Sequence, residues 1–89
     1  MTNQHMFYVY ILRSENYPMK TYIGITESLE KRLAEHNANT QPHTSRYSPW
    51  KVETYIAFSD KNKEFNFEKY LKIGSGKAFL KKRLINSDQ

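Results

Sequence analysis

The chain has 89 residues, 38% hydrophobic and 26% charged, which suits one folded domain and excludes a second independent core. Lys and Arg outnumber Asp and Glu by 14 to 9, and the resulting net charge of +5 favours a nucleic-acid partner over a merely soluble basic protein. The absence of cysteine excludes disulfides, thiolate zinc sites and a cysteine nucleophile, and fits a cytoplasmic location. No apolar run approaches the about 20 residues of a membrane span, and the first ten residues lack the features of a signal peptide.

The predicted elements begin with a hairpin. A strand is predicted over residues 6–12, and because both of its faces are apolar it should lie at the centre of a sheet. A second strand is predicted over residues 20–25, and the short connection containing Pro18 favours antiparallel pairing. A third strand is predicted over residues 51–58, with four alternate side chains on one face: Val52, Thr54, Ile56 and Phe58.

Between the second and third strands the sequence predicts a helix and then a loop. The helix covers residues 29–37 with Ser28 as N-cap, and the polar residues 38–49 form the loop, which is the candidate substrate-facing segment. Arg32 and His36 lie four residues apart at the margin of the buried helix face. Arg32 is either a surface arginine or a guanidinium that reaches the sheet and binds a phosphate, and His36 is at least a hydrogen-bonded boundary histidine.

Two further helices are predicted after the third strand. The first covers residues 61–73 with Asp60 as N-cap, Gly74 ends it, and Ser75 caps a last helix that runs to about residue 84. The order β-β-α-β-α-α indicates an α+β fold in which helices flank an antiparallel or mixed three-stranded sheet.

The segment GSGKAF between the two last helices looks like a phosphate-binding loop. A Walker A motif would need glycine and Ser or Thr where Leu71 and Ala78 stand, and it would follow a strand. No nucleotide cofactor is therefore predicted.

Glu68 and a set of basic residues are the other candidates for chemistry. Glu68 can pair with Lys72 at i+4, but one carboxylate with open positions also suits Mg²⁺. The basic side chains are either solvated charges or phosphate contacts whose binding would depend on salt. They are Arg46, Lys51, Lys69, Lys72, Lys77, Lys81, Lys82 and Arg83.

In the order and spacing of five segments, the chain resembles the GIY-YIG nuclease superfamily. These segments are YVY (8–10), YIG (22–24), LEKRLAEHN (29–37), TSRYSPW (44–50) and FEKYLKIGSGKAFLKKR (67–83). The chain looks closest to small stand-alone bacterial members and is similar to the N-terminal nuclease domain of the family's excision-repair endonuclease. The resemblance implies one domain over residues 1–89, ordered over about 6–84, with a three-stranded antiparallel sheet flanked by helices.

The resemblance also implies the site and its chemistry. It gives catalytic roles to five residues and a structural role to Gly24; the five are Tyr10, Tyr22, Arg32, His36 and Glu68. Glu68 would hold one Mg²⁺ or Mn²⁺ ion and Arg32 would stabilise the phosphate during hydrolysis of a DNA phosphodiester bond. Tyr10, Tyr22 and His36 all stay open as the group that activates water. The departure from the family pattern is Tyr8, which stands at the glycine position of the first tripeptide.

Two functions are compatible with these residues. The first is a metal-dependent DNA endonuclease, directed by DNA structure or by a larger partner protein in repair or recombination. The second is a non-catalytic nucleic-acid-binding module or partner subunit that retains the nuclease fold.

Overall fold

The computed structural model describes residues 5–38 and 41–85 and contains one three-stranded sheet. The strands are β1 (Phe7–Ser14), β2 (Thr21–Thr26) and β3 (Trp50–Phe58). Their order is β2-β1-β3, and both pairings are antiparallel. The predicted hairpin and the central position of the first strand are confirmed, since a strand that is apolar on both faces needs cover on both.

Helices follow the second and third strands, in the predicted order. They are α1 (Leu29–Asn37), α2 (Lys61–Leu71) and α3 (Gly74–Phe79). A 3₁₀ turn, Ser45–Tyr47, lies within the predicted loop, and a π-helical segment, Leu80–Ile85, continues α3. The α+β fold and the order β-β-α-β-α-α are confirmed. Within the described residues, no helix has both the length and the apolar composition needed to cross a membrane.

Because side chains alternate along β1, the sheet has two different faces. The α2 face is covered by α2 and the segments after it, and its buried residues are Val9, Ile11, Leu71, Leu80 and Ile85. The α1 face is covered by α1 and the 3₁₀ turn, and its members are Tyr10, Leu12 and Trp50 with the partly buried Tyr22, Leu29, Leu33, Tyr47 and Val52. The buried residues of the first face are aliphatic, with the rings of Phe58 and Phe67 packed against them, whereas the aromatic rings of the second face have polar tips.

The pairing of β3 with β1 contains an irregularity. The register shifts between Ile11 and Leu12, which leaves Glu53 without a partner in the ladder. Val52 therefore packs on the α1 face, whereas Phe58 packs on the α2 face. The prediction that Val52, Thr54, Ile56 and Phe58 share one face is wrong at Val52, because one extra residue reverses the alternation.

Of the two predicted N-cap residues at the starts of α1 and α2, only one makes a side-chain capping hydrogen bond. Ser28 is the N-cap of α1, as predicted, but its hydroxyl makes no capping bond. The Thr26 hydroxyl instead accepts from the Ser28 backbone N–H at 3.1 Å. Asp60 does cap α2, since its carboxylate accepts from the Lys63 N–H at 3.1 Å.

The end of α2 and the start of α3 correct two expectations. Helix α2 ends at Leu71, two residues before the predicted boundary. Gly74 has φ +46°, in the left-handed region that favours glycine, and reverses the chain after α2. The residue that precedes α3 as N-cap is Ile73, so Ser75 lies inside the helix and does not cap it.

Candidate active site

Tyr10 and Gly24 lie opposite each other in the β1–β2 ladder. A Cβ placed on Gly24 would fall 2.6 Å from Cζ and 2.9 Å from Cε2 of Tyr10. Any side chain at this position would therefore collide with the tyrosine ring. The absence of a side chain at Gly24 makes room for the Tyr10 ring, which is 2% exposed, and not for the open approach of a phosphate backbone.

The Tyr10 hydroxyl connects β1 to two side chains of α1. It lies 3.0 Å from Nε2 of His36 and accepts from Nε of Arg32 at 3.3 Å. The Tyr22 ring joins the same cluster, with centroid distances of 4.9 Å to His36 and 6.2 Å to Tyr10. The sequence predicted that His36 lies at the margin of the buried face of the helix. In the structure His36 is 1% exposed and is fully buried.

Thr44 completes the cluster from the loop that follows α1. Its Oγ1 lies 2.8 Å from Nδ1 of His36 and donates to the Gln41 carbonyl at 3.4 Å. Since the Thr44 hydrogen is used there, its oxygen accepts from Nδ1–H, and Nε2 of His36 is left as an acceptor for the Tyr10 hydroxyl. The hydrogen bonds thus run in one direction, from Arg32 through Tyr10 and His36 to Thr44.

Burial determines the charge states of this cluster. It raises the pKa of Tyr10, although the Arg32 hydrogen bond and charge oppose the rise. It also lowers the pKa of His36, and the Arg32 charge adds to that effect. Hydrogen bonds to Tyr10 and Glu35 raise the pKa of Arg32. At neutral pH the cluster therefore holds a neutral phenol, a neutral imidazole and a guanidinium cation.

Two grooves of about 310 Å³ each run along the end of β2, which is an edge strand. The Arg32 groove is lined by Ile25, Thr26, Glu27, Ser28, Lys31, Arg32 and Glu35. The Glu64 groove is lined by Ile25, Thr26, Glu27, Lys61 and Glu64. Because they share Ile25, Thr26 and Glu27, the two grooves meet at the strand end, with Arg32 on one side and α2 on the other.

Glu68 lies on α2, on the other side of the sheet from the tyrosines. Its side chain is 15% exposed, and its Oε2 lies 2.5 Å from Nζ of Lys72. In the described part of the chain, no hydrogen bond joins Glu68 to Tyr10, Arg32 or His36, and no group of three or more acidic or histidine side chains forms a metal cage. The structure thus brings Tyr10, Tyr22, Gly24, Arg32 and His36 together, whereas the described contacts of Glu68 are within α2 and its C-cap.

Comparison with known proteins agrees with this arrangement. A family described as the GIY-YIG catalytic domain matches residues 6–83. The chain belongs to the GIY-YIG family. It is also similar to a Structure-specific endonuclease subunit SLX1 homolog from Giardia intestinalis, with 34% identity over 65 residues. That match covers 68% of this chain and 18% of the relative, so the chain spans less than a fifth of that protein.

Tyr8 occupies the glycine position of the first GIY-YIG tripeptide. Its ring packs edge-on against Tyr55, with centroids 5.7 Å apart. It also lines a third groove, of about 340 Å³, with Glu27, Ser28, Leu29 and Glu30. Tyr8 is therefore partly packed on the sheet, and it does not line the Arg32 groove.

The eight predicted DNA-contacting residues are dispersed in this GIY-YIG domain. Five lie on α2, α3 or the π-helical segment: Lys69, Lys77, Lys81, Lys82 and Arg83. Lys72 is the C-cap residue of α2. Lys72 is paired with Glu68, and Lys51 is an exposed residue of β3. Arg46 lies in the 3₁₀ turn with its guanidinium 5.3 Å from the centre of the Tyr47 ring. The described contacts do not gather these side chains around Tyr10.

Sequence reasoning missed two members of the cluster. Glu35 Oε1 accepts from Nη1 of Arg32 at 2.9 Å, and their i, i+3 spacing was a usable signal. Thr44 is 2% exposed, and the Trp50 indole donates to its carbonyl at 2.8 Å. Thr44 begins the TSRYSPW segment that carries part of the family resemblance, but this segment has no periodicity, so no pattern distinguished Thr44 from its neighbours. Residues 39 and 40 of the predicted loop lie outside the described residues.

Proposed function

We propose that this GIY-YIG domain is an endonuclease that hydrolyses a phosphodiester bond of DNA. The observation that carries the proposal is the buried chain of hydrogen bonds from Arg32 through Tyr10 to His36, with Arg32 also lining a groove at the sheet edge. Family membership supports it, because the matched family is a catalytic domain. The SLX1 homolog is named a structure-specific endonuclease subunit, which supports a substrate selected by its structure and a partner protein. The same proposal places the chain in DNA repair or recombination with a larger partner.

Arg32 is the group that stabilises charge in this proposal. Its guanidinium is held by Tyr10 on one side and Glu35 on the other, and hydrogen bonding raises its pKa, so it stays cationic. A fixed cation at the groove is positioned to meet the extra negative charge that develops on a pentacovalent phosphate. Because the cation is already oriented, little reorganisation is needed at the moment of reaction.

Tyr10 and His36 act together on the proton of the attacking water. As the water oxygen bonds to phosphorus, its proton moves to the Tyr10 oxygen while the Tyr10 proton moves to Nε2 of His36. This concerted transfer never forms a free phenolate, so the raised pKa of Tyr10 does not prevent it. The bond from phosphorus to the leaving oxygen then breaks, and the leaving oxygen takes a proton from solvent. His36 returns the Tyr10 proton, and the proton taken from the attacking water leaves to solvent.

The residues on α2 fit a Mg²⁺ or Mn²⁺ ion. Mg²⁺ is usually bound through one or two carboxylates plus waters and substrate phosphates, and it does not need a protein cage. Glu68 offers one such carboxylate, whose present partner is the flexible ammonium of Lys72. When bound, the ion would supply charge stabilisation to the phosphate and the leaving oxygen.

Cleavage of a panel of nicked, flapped and branched DNA with Mg²⁺ or Mn²⁺ tests this function. Wild type should cut at least one substrate. Glu68→Gln should bind the same DNA with unchanged affinity but should not cut it, because it keeps the shape of Glu68 and removes its charge. DNA affinity should also fall steeply with added salt.

Equal cutting by both proteins would contradict the role of Glu68. Binding by wild type without cutting on any substrate would instead indicate the non-catalytic nucleic-acid-binding module.

A further inference from the structure

We propose that Glu64 is a second carboxylate of the metal site, so that α2 binds a divalent cation through Glu64 and Glu68 together even without DNA. This inference rests on the proposed function, because it adds a residue to the same metal site. It starts from a side chain that neither the sequence pattern nor the family resemblance singled out.

Glu64 is buried without a partner. It is 2% exposed, yet within the described residues its carboxyl group makes no hydrogen bond and no ion pair. Among the described residues no side-chain oxygen is both fully buried and without a hydrogen-bond partner, so the Glu64 oxygens keep contact with solvent at the groove. Glutamate is almost never buried to this degree unless it is paired, and a cation that reaches these oxygens from the groove would supply the missing partner.

The helical positions bring Glu64 and Glu68 to the same side of α2. Residues at i and i+4 are neighbours on a helix surface, so the side chains of Glu64 and Glu68 lie one above the other along α2. Glu64 also lies two helical turns before Leu71, on the stripe that faces the sheet. Glu64 thus lies where α2 meets the end of β2, and Glu68 follows it one helical turn later.

The Glu64 groove has room for a hydrated ion and is rich in negative charge. It measures about 310 Å³ and is also lined by Glu27, whose charge acts on Glu64. Lys61 lines the same groove and is the nearest competing cation on α2, but no ion pair joins it to Glu64 among the described residues.

Glu27 and Glu64 line this groove, and Glu68 follows Glu64 on α2. Two of these three carboxylates already have partners. Glu27 Oε1 lies 2.8 Å from Nε2 of His5, and Glu68 is paired with Lys72. In the described part of the chain, Glu64 has neither a hydrogen bond nor an ion pair. Oxygen ligands from one or two carboxylates, completed by water, are what Mg²⁺ and Mn²⁺ take. The adjoining Arg32 groove would place the phosphate beside this ion.

Titration of the DNA-free protein with Mn²⁺, followed by calorimetry, tests the inference. Glu64→Gln should weaken Mn²⁺ binding at least about tenfold, as should Glu68→Gln. Glu15→Gln is the matched control, because Glu15 is an exposed glutamate in the β1–β2 connection, and it should bind Mn²⁺ as wild type does. Mn²⁺ should also raise the melting temperature of wild type but not that of Glu64→Gln.

Loss of Mn²⁺ binding in Glu64→Gln would not be a consequence of misfolding. Glu64→Gln removes an unpartnered buried charge, so without metal it should melt no lower than wild type. Glu64→Ala provides a second variant that lacks the ligand altogether. The inference is overturned if Glu64→Gln binds Mn²⁺ within twofold of wild type, or if wild type binds no Mn²⁺ at millimolar concentration.

The two proposals fail separately. If wild type cuts DNA while Glu64→Gln binds Mn²⁺ normally, the endonuclease function stands and the role of Glu64 is wrong. If wild type binds Mn²⁺ through Glu64 but cuts no DNA, the metal site stands and the proposed function is wrong.

Discussion

The two faces of the sheet are built from alternate residues of one strand, yet they differ in kind. On the α2 face, β1 contributes Val9 and Ile11 to a cluster of aliphatic side chains. On the α1 face, the residue between them is Tyr10, whose hydroxyl bonds to Arg32 and His36. A domain of this size has no core to spare for a separate scaffold, so neighbouring residues of β1 divide the work: Val9 and Ile11 mainly stabilise the fold, and Tyr10 holds polar groups of α1 in place.

Truncation of Ile11 should give the largest effect on stability. Ile11 is fully buried on the α2 face, so Ile11→Ala leaves a cavity and should lower the free energy of unfolding by about 2–5 kcal/mol. Urea titration measures this loss, and Ile11→Val should cost only about 0.5–1.5 kcal/mol. At a temperature where Ile11→Ala is folded, its cleavage rate should match wild type. A large loss of rate in the folded variant would mean that the two faces are not separate.

The adjacent residue, Tyr10, should show the opposite balance. Tyr10→Phe keeps the ring but removes the hydroxyl between Arg32 and His36, so cleavage should slow about a hundredfold, equivalent to roughly 2.7 kcal/mol. Single-turnover cleavage measures this rate. Tyr22→Phe is the matched control, because its ring contacts His36 but its hydroxyl is not in the chain of hydrogen bonds. A reversed result, with Tyr22→Phe inactive and Tyr10→Phe active, would move the proton transfer to Tyr22.

Loss of the Thr44 hydroxyl should have a smaller effect, transmitted through His36. Thr44→Val keeps the shape of Thr44 but leaves Nδ1 of His36 without its acceptor, which should lower stability by about 1–3 kcal/mol. The ¹⁵N chemical shifts of His36 should show a change of tautomer, and cleavage should slow. Thr44→Ser keeps the hydroxyl and should restore both. An unchanged tautomer in Thr44→Val would show that Thr44 does not orient the imidazole.

The smallest expected effect is the dependence of stability on pH. Burial lowers the pKa of His36 in the folded protein, so between that pKa and the ordinary value near 6.5 the unfolded state binds more protons. Stability should therefore be complete above about pH 6.5 and should fall as the pH drops, by roughly 1.4 kcal/mol for each unit by which the pKa is lowered. Urea titrations at pH 7.5 and 5.5 should show a larger loss for wild type than for His36→Gln. Equal losses would mean that His36 is not the residue responsible.

Regular patterns allowed much of the fold to be predicted. The two apolar faces of β1 indicated its central position, and α1 begins and ends where its cap and period predicted. Helical spacing also put Arg32 and His36 on one side of α1, and both side chains bond to the Tyr10 hydroxyl. Once the hairpin pairs, these side chains have few other places to lie.

The features that escaped prediction are those that depend on tertiary contacts. The shift at Glu53 leaves no trace in the composition of β3, and Thr44 reaches His36 only because the loop folds back against Trp50. Glu64 did carry a signal, since it lies in register with Leu71 on the buried stripe of α2. A glutamate at such a position passes for a surface charge because propensity alone does not report the burial of one side chain.

Glu53, which has no partner in the β1–β3 ladder, makes the number of residues in β3 important for which face each side chain packs on. On the N-terminal side of Glu53, the side chains of Trp50 and Val52 pack on the α1 face. On its C-terminal side, Phe58 packs on the α2 face. Deletion of Glu53 alone would join the two halves in phase and turn the indole of Trp50 away from Thr44. Exchange of one side chain in β3 therefore acts on one core, whereas a change in the number of residues alters the packing of both cores at once.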